Sequence, residues 1–336
     1  MGGGARGPVV SPRALLAADC GSGIGLGHLE RMLALADSLA PDLEPSILVP
    51  EGDSSLHLRV ADRGHRVIDA PGLAAARVDA AIAHGEPFDV VVLDGYVFDV
   101  ELQRRLRARA PLTVVDDLGL PSDCDLAVNP SPGGERLRPS GAAAFLGGAA
   151  YALVRSLFVA ARATTHGHGR DHRSVLVSTG ATDLGGIGRR ASFDLLERDP
   201  TVEVVRVVGP DTPVGKASDH PRERLLVAPP DLAGALAAAS VYVGAAGTTA
   251  VQAACVGTPA VITVAVANQA AQAAALSAAG CATIAAESEL AEACLALLDD
   301  PARLASMSAA GRALVDGRGA TRVAEAVRNL ITARAA

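Results

Sequence analysis

The sequence predicts an α/β protein of two facing, Rossmann-like parallel-sheet domains with a cleft between them. Three observations predict it. The length of 336 residues suits two domains, at about 100–200 residues each. Short apolar runs alternate with longer amphipathic stretches, the pattern of repeated βα units. That series occurs twice, on either side of a stretch without apolar periodicity, residues 162–173. The expected division is therefore residues 1–161, a linker at 162–173 and a second domain at 174–336. The last helix is free to pack back on the first domain.

In the first half, strands are expected at residues 14–18, 46–49, 89–93, 112–115 and 126–128. The run at 89–93 is almost wholly apolar, as suits a strand buried on both faces. A helix is expected from His28, because Leu29, Met32, Leu33, Ala36 and Leu39 recur at helical spacing. In the second half, strands are expected at residues 174–178, 204–208, 224–227, 241–243 and 260–264. Residues 321–333 read as an amphipathic helix. Aromatic residues make up only 2%, so the core must be built from small aliphatic side chains.

Composition excludes several roles. The net charge of −7 argues against a nucleic-acid or anionic-membrane binder, which needs a basic face. The five cysteines are scattered and odd in number, which suits reduced thiols in the cytoplasm better than a disulfide framework. The N-terminal stretch lacks the apolar core of a signal peptide. There is also no uninterrupted apolar run of about 18 residues to insert in a membrane. His166, His168 and His172 fall in the linker and read as solvated residues rather than metal ligands. No metal and no other cofactor is expected. The sequence leaves the oligomeric state open.

Four motifs bear on chemistry. The first is Asp-Cys-Gly-Ser-Gly-Ile-Gly-Leu-Gly-His-Leu-Glu-Arg at 19–31. Its glycines, among them Gly25 and Gly27, allow a tight turn and close backbone approach to a ligand. The following helix offers free N–H groups. His28 stands in its first turn, where the positive end of the dipole favours neutral imidazole, the form a general base needs. A histidine that only packs at the turn fits the position equally. The second motif is Val-Val-Val-Leu-Asp-Gly-Tyr at 90–96, with Asp94 and Tyr96 at a strand's carboxyl end, where ligands bind in such sheets. An Asp capping the next turn is the plain alternative. The third is the small-residue loop at 243–252, in which Gly244, Gly247, Thr248 and Thr249 precede a helix that carries Gln252. That arrangement suits a diphosphate, and a Thr N-cap is the alternative. The fourth is Asn268-Gln269 after another strand, placed to orient a sugar or to satisfy local backbone.

Together these motifs resemble the PseG/SpsG family, the nucleotide-sugar hydrolases of pseudaminic acid biosynthesis and their spore-coat polysaccharide relatives. Further matches are Val-Val-Asp-Asp-Leu at 114–118 with Cys124-Asp125, Gly-Ala-Ala-Tyr-Ala-Leu-Val-Arg at 148–155, and Leu-Val-Ser-Thr-Gly at 176–180 with Asp183. Asp-Gly-Arg-Gly at 316–319 with Arg322-Val323 completes the set. The resemblance covers about residues 14–330. It implies a GT-B fold and metal-independent chemistry on a nucleotide sugar, a UDP-sugar in that family. His28 matches the family's water-activating histidine. Tyr96, Asn268 and Gln269 match its substrate-positioning residues, and Arg31 completes its Gly-His-x-x-Arg motif. The loop at 244–249 matches the nucleotide-binding turn. Gln252 stands where the family has a glutamate that contacts the nucleotide ribose, and Gln lacks the stronger, charge-assisted acceptance.

The resemblance implies hydrolysis of a nucleotide-linked amino or deoxy sugar by His28-activated water. A glycosyltransferase with the same donor site is the alternative, as is a non-catalytic nucleotide-sugar binder. A dinucleotide oxidoreductase, with Glu51 on the ribose, leaves the second half without a role. No acceptor-docking surface is legible in the first half, which favours water as the nucleophile.

Overall fold

The computed structural model describes residues 11–21, 26–83, 87–164, 173–180, 183–209, 212 and 220–335. The first unit carries strands β1 (Arg13–Ala18), β2 (Glu44–Pro50), β3 (Arg66–Ala70), β4 (Val90–Asp94), β5 (Leu112–Val115), β6 (Leu126–Asn129) and β7 (Ala144–Gly147). They form one parallel sheet in the order β3-β2-β1-β4-β5-β6-β7. Helices α1 (Gly27–Leu39), α2 (Ser54–Ala61), α3 (Ala74–Ala83) and α4 (Val100–Arg107) connect its strands.

Helix α5 (Ser156–Thr164) leads into the second unit, whose strands are β8 (Ser174–Ser178), β9 (Glu203–Val208), β10 (Glu223–Val227), β11 (Val241–Ala245), β12 (Ala260–Thr263) and β13 (Ala282–Ile284). They too are all parallel, in the order β10-β9-β8-β11-β12-β13. Its helices are α6 (Ile187–Arg198), α7 (Leu232–Ala238), α8 (Thr248–Val256), α9 (Ala270–Ala278), α10 (Leu290–Leu298), α11 (Pro301–Leu314) and α12 (Gly319–Ala335).

The two-residue period of the strands builds the layers. In β1, Ala14, Leu16 and Ala18 pack with α1 on one face, while Leu15 and Ala17 pack with α3 and α4 on the other. In β11, Val241 and Val243 face α6 and α10, and Tyr242 faces α7 and α8. Helices on both faces explain the apolar strand runs visible in the sequence. The strands that the sequence reading does not anticipate are β3, β7 and β13. All three lie at sheet edges and are partly exposed, so they lack a continuous apolar run.

The chain crosses between the units twice. Phe158 and Ala161 of α5 join the core of the second unit, so this helix overlaps residues 162–164 of the segment expected as linker. Residues 165–172, with His166, His168 and His172, lie outside the described residues. Helix α12 returns to the first unit. Its Ala320, Val323, Ala324 and Val327 pack into the α1 core, and Arg328 and Arg334 bond to the Ser38 and Arg107 carbonyls. Among the described residues no helix is long and apolar enough to cross a membrane, and no group of His, Cys, Asp and Glu could hold a metal ion.

Candidate active site

The carboxyl ends of the two sheets face each other across a cleft of about 460 Å³, within the usual range for small-molecule sites. Two helix N-termini meet there. Gly27 opens α1 and Thr248 opens α8, and a Cβ on Gly27 would lie 3.0 Å from the Thr248 hydroxyl. Helices α2, α4, α7 and α11 are capped by the carboxylates of Asp53, Asp99, Asp231 and Asp300. Helices α1 and α8 have Leu26 and Gly247 at that position and no side-chain cap. The Ala250 N–H bonds the Gly247 carbonyl at 3.0 Å; the N–H groups ahead of it, and those that open α1, can meet a ligand, and the dipoles favour an anion. Neither Thr248 nor Thr249 acts as the N-cap; both line the cleft.

The first wall is built on buried charge. Asp94 ends β4 with no exposed surface. Its Oδ1 lies 2.7 Å from His28 Nδ1, and its two oxygens take Arg31 Nε at 2.9 Å and Arg31 Nη2 at 2.6 Å. Arg31 Nη2 also lies 2.7 Å from His28 Nδ1. His28 Nδ1 thus meets an acceptor, Asp94, and a donor, Arg31, at equal distance; in the tautomer that bonds Asp94 the proton is on Nδ1 and Nε2 is the basic nitrogen. Arg31 continues to Asp117 Oδ2 at 2.9 Å. Burial alone would lower the Arg31 guanidinium, but Asp94 and Asp117 outweigh it and hold its charge.

Tyr96 closes the network. Its hydroxyl donates to Asp117 and accepts from Asn268 Nδ2 at 3.0 Å, a bond that spans the cleft. Its ring stands edge-on to His28, with centroids 5.2 Å apart. Burial, then the Asp117 carboxylate, push the Tyr96 phenol up, so it stays a neutral hydroxyl. For Asp117, burial would raise the carboxyl, but Arg31 and the Tyr96 hydroxyl hold it below the usual carboxylate value.

The second wall is a set of pinned loops. Asn268 and Gln269 sit on a single helical turn, Ala267–Gln269, which leads into α9. Gln269 Oε1 accepts the Ala265 N–H at 3.0 Å, so this side chain shapes the loop. Gln272 Nε2 donates to the Ala246 and Gly247 carbonyls at 2.6 and 2.9 Å and fixes the turn before α8. Gln252 is 5% exposed and lines the cleft, and among the described residues its amide has no hydrogen-bond partner.

The structure thus brings Gly27, His28, Arg31, Tyr96, Gly247, Thr248, Thr249, Gln252, Asn268 and Gln269 to one cleft. Two expected residues stand behind it. Asp94 is the partner of His28 and Arg31. Gly244 is inside β11, where a Cβ would collide with the Ser178 carbonyl, so glycine there serves packing. Gly25 lies outside the described residues.

Sequence reasoning missed Asp117, Gln272, and a charged group in the cleft formed by Glu30, Arg59 and Arg155. Glu30 Oε1 lies 2.7 Å from Arg59 Nη1, and its Oε2 is 3.0 Å from Arg155 Nε. Asp117 carried a signal, since it follows a strand as Asp94 ends one. Gln272 carried none.

No family model matches the chain, and no curated protein matches it by sequence. Solved structures do match. MurG of Acinetobacter baumannii is 16% identical over 95% of this chain and 99% of its own, with a TM-score of 0.66. The spinosyn rhamnosyltransferase SpnG complexed with thymidine diphosphate is 16% identical, covering 95% and 99%, with a TM-score of 0.63. A putative UDP-N-acetylglucosamine 2-epimerase from Listeria monocytogenes is also 16% identical, covering 95% and 96%, at 0.63. The fold is GT-B. At these identities the likeness carries the architecture alone. The GT-B frame explains why strands from both halves end at one cleft, and function has to be argued from the side chains found there.

Proposed function

We propose that the protein cleaves a nucleotide-activated sugar at its anomeric carbon, with His28 as general base. The observation that carries this reading is the buried Asp94 carboxylate 2.7 Å from His28 Nδ1, beside two uncapped helix N-termini. A base oriented by a buried carboxylate suits activation of a hydroxyl nucleophile. Converging helix dipoles suit the developing charge of a diphosphate leaving group. Arg59 and Arg155 add positive charge nearby. Water is the nucleophile when no other hydroxyl is bound, which is the hydrolysis that the PseG/SpsG resemblance implies, with an amino or deoxy sugar as the substrate class.

The thymidine diphosphate complex of SpnG and the putative UDP-N-acetylglucosamine 2-epimerase support a nucleoside diphosphate as the anchored group. UDP is the first candidate, through the family resemblance. Gln252, with its free amide, is assigned to the ribose. A thermal-shift series with UDP, dTDP, ADP and GDP tests the reading. A ligand at a hundred times its Kd adds about 2.7 kcal/mol to apparent stability. One of the diphosphates should raise Tm by several degrees and its monophosphate by less. If none of the four shifts Tm, the reading fails.

A further inference from the structure

Eleven large hydrophobic residues stay exposed among the described residues, and six of them fall on three loops that border the cleft, with Tyr96 and Val266 lining it. Tyr96 and Val97 follow β4. Leu118 and Leu120 follow β5. Val264 and Val266 follow β12. All six are 37–46% exposed. Strands β4 and β5 are parallel neighbours, so their loops emerge side by side. The Tyr96–Asn268 bond ties the third loop to them across the cleft. Single exposed hydrophobics are ordinary, whereas a patch that collects around one opening marks a binding surface.

The exposure is built into the fold. Asp116 is buried, and its two oxygens take the N–H groups of Leu118 at 2.9 Å and Leu120 at 2.6 Å. Between them Gly119 has φ +73°, and a Cβ there would press on Leu137 at 3.1 Å. A buried carboxylate and an obligatory glycine therefore hold two leucines out in solvent. That arrangement costs hydration free energy in the empty protein, and an apolar occupant recovers it.

We infer that this collar seats the apolar body of a hydroxyl-bearing acceptor, so that the reaction is glycosyl transfer. The inference rests on the proposed function, because the loops of the collar carry Tyr96 beside His28 and are tied to Asn268 across the cleft. On this inference the first half does offer an acceptor a docking surface, against the sequence-based expectation of none. In the step, His28 Nε2 takes the acceptor's hydroxyl proton and the acceptor oxygen bonds to the anomeric carbon. The bond from that carbon to the phosphate oxygen breaks, and its electron pair leaves with the nucleoside diphosphate. No electrons are exchanged with any other group. The proton on His28 is then lost to solvent.

The test uses 4-methylumbelliferone, an apolar molecule with one hydroxyl, with glycerol as the polar control. The primary readout is fluorescence anisotropy of the probe with the full chain and saturating UDP. Saturable binding is expected, weakened at least tenfold by Leu118→Ser/Leu120→Ser and again by Val264→Ser/Val266→Ser on the opposite wall. Folding of each variant is checked by its thermal transition. The second readout is nucleotide release from UDP-N-acetylglucosamine and dTDP-glucose. The probe should speed release several-fold and give a glycoside by mass spectrometry, and glycerol should do neither.

Probe binding that is absent, or equal in wild type and both variants, overturns the inference. So does nucleotide release at one rate with and without probe, giving free sugar only; the proposed function then stands as hydrolysis. A wild type that sediments as a dimer, with a monomeric Leu118→Ser/Leu120→Ser variant and unchanged probe binding, assigns the collar to self-association and likewise overturns it. Failure of every nucleotide to raise Tm strikes instead at the function beneath.

Discussion

Asp94, without exposed surface, holds His28 Nδ1 at 2.7 Å while binding Arg31 through both oxygens. One buried carboxylate thus bonds the imidazole and neutralises the cation beside it. Asp94→Asn keeps the shape but presents an amide that can bond either tautomer of the imidazole. Nucleotide release should fall by about 10²–10⁴, the usual contribution of an oriented acid–base group. Breaking a buried pair from one side costs about 3–5 kcal/mol. Arg31 keeps Asp117, so urea unfolding should show the lower end of that range.

Tyr96→Phe isolates the bond across the cleft. The ring stays beside His28, but the hydroxyl no longer links Asp117 to Asn268. A lost hydrogen bond of this kind is worth about 1 kcal/mol, so Tm should move little. Turnover should drop about tenfold if the bond holds the two walls in register during the reaction. Steady-state kinetics should place the loss in kcat more than in KM.

Asp117 should shape the acid limb of stability. Its folded value is held below the ordinary carboxylate value of 3.8: burial opposes this, and Arg31 and the Tyr96 hydroxyl overcome it. A depressed carboxylate contributes stability above its unfolded value, and that stability is lost as pH falls through its folded value. Asp117→Asn should therefore be less stable at neutral pH. It should also lose less further stability than wild type as pH drops below about 4. Denaturant unfolding from pH 7 to pH 3 measures both slopes.

The thiols should be silent in the folded protein. All five cysteines are free and buried, and burial pushes Cys20, Cys255 and Cys281 up to about 11 and Cys294 up to about 12. The reactive species is the thiolate. At pH 8 a thiol-specific chromogenic disulfide should show no fast phase with native protein, and all five should react after unfolding.

Much of the fold was legible because buried parallel strands write themselves as apolar runs. Strands β5 and β8 show this, with every or nearly every side chain buried. Edge strands such as β3, with partly exposed residues, do not. At the site, His28 and Tyr96 were legible through their position after a glycine turn and at a strand's end. Asp117 was not singled out, because composition does not say which of two adjacent aspartates turns inward. In the structure Asp116 serves the loop backbone and Asp117 reaches Arg31. Gly244 misled, since a glycine for strand packing and one for phosphate approach look alike. Leu118 and Leu120 carried no surface signal, because only the fold shows that Asp116 holds them outward.

The central claim is that His28 is the base acting on an anchored nucleotide sugar. Its most direct test pairs His28→Ala nucleotide release with nucleotide affinity by calorimetry, using the donor whose diphosphate gives the largest thermal shift. Release should slow by about 10²–10⁴, with the diphosphate bound within about threefold of wild type because its helix-end site is intact. Unchanged release in the variant would contradict the claim.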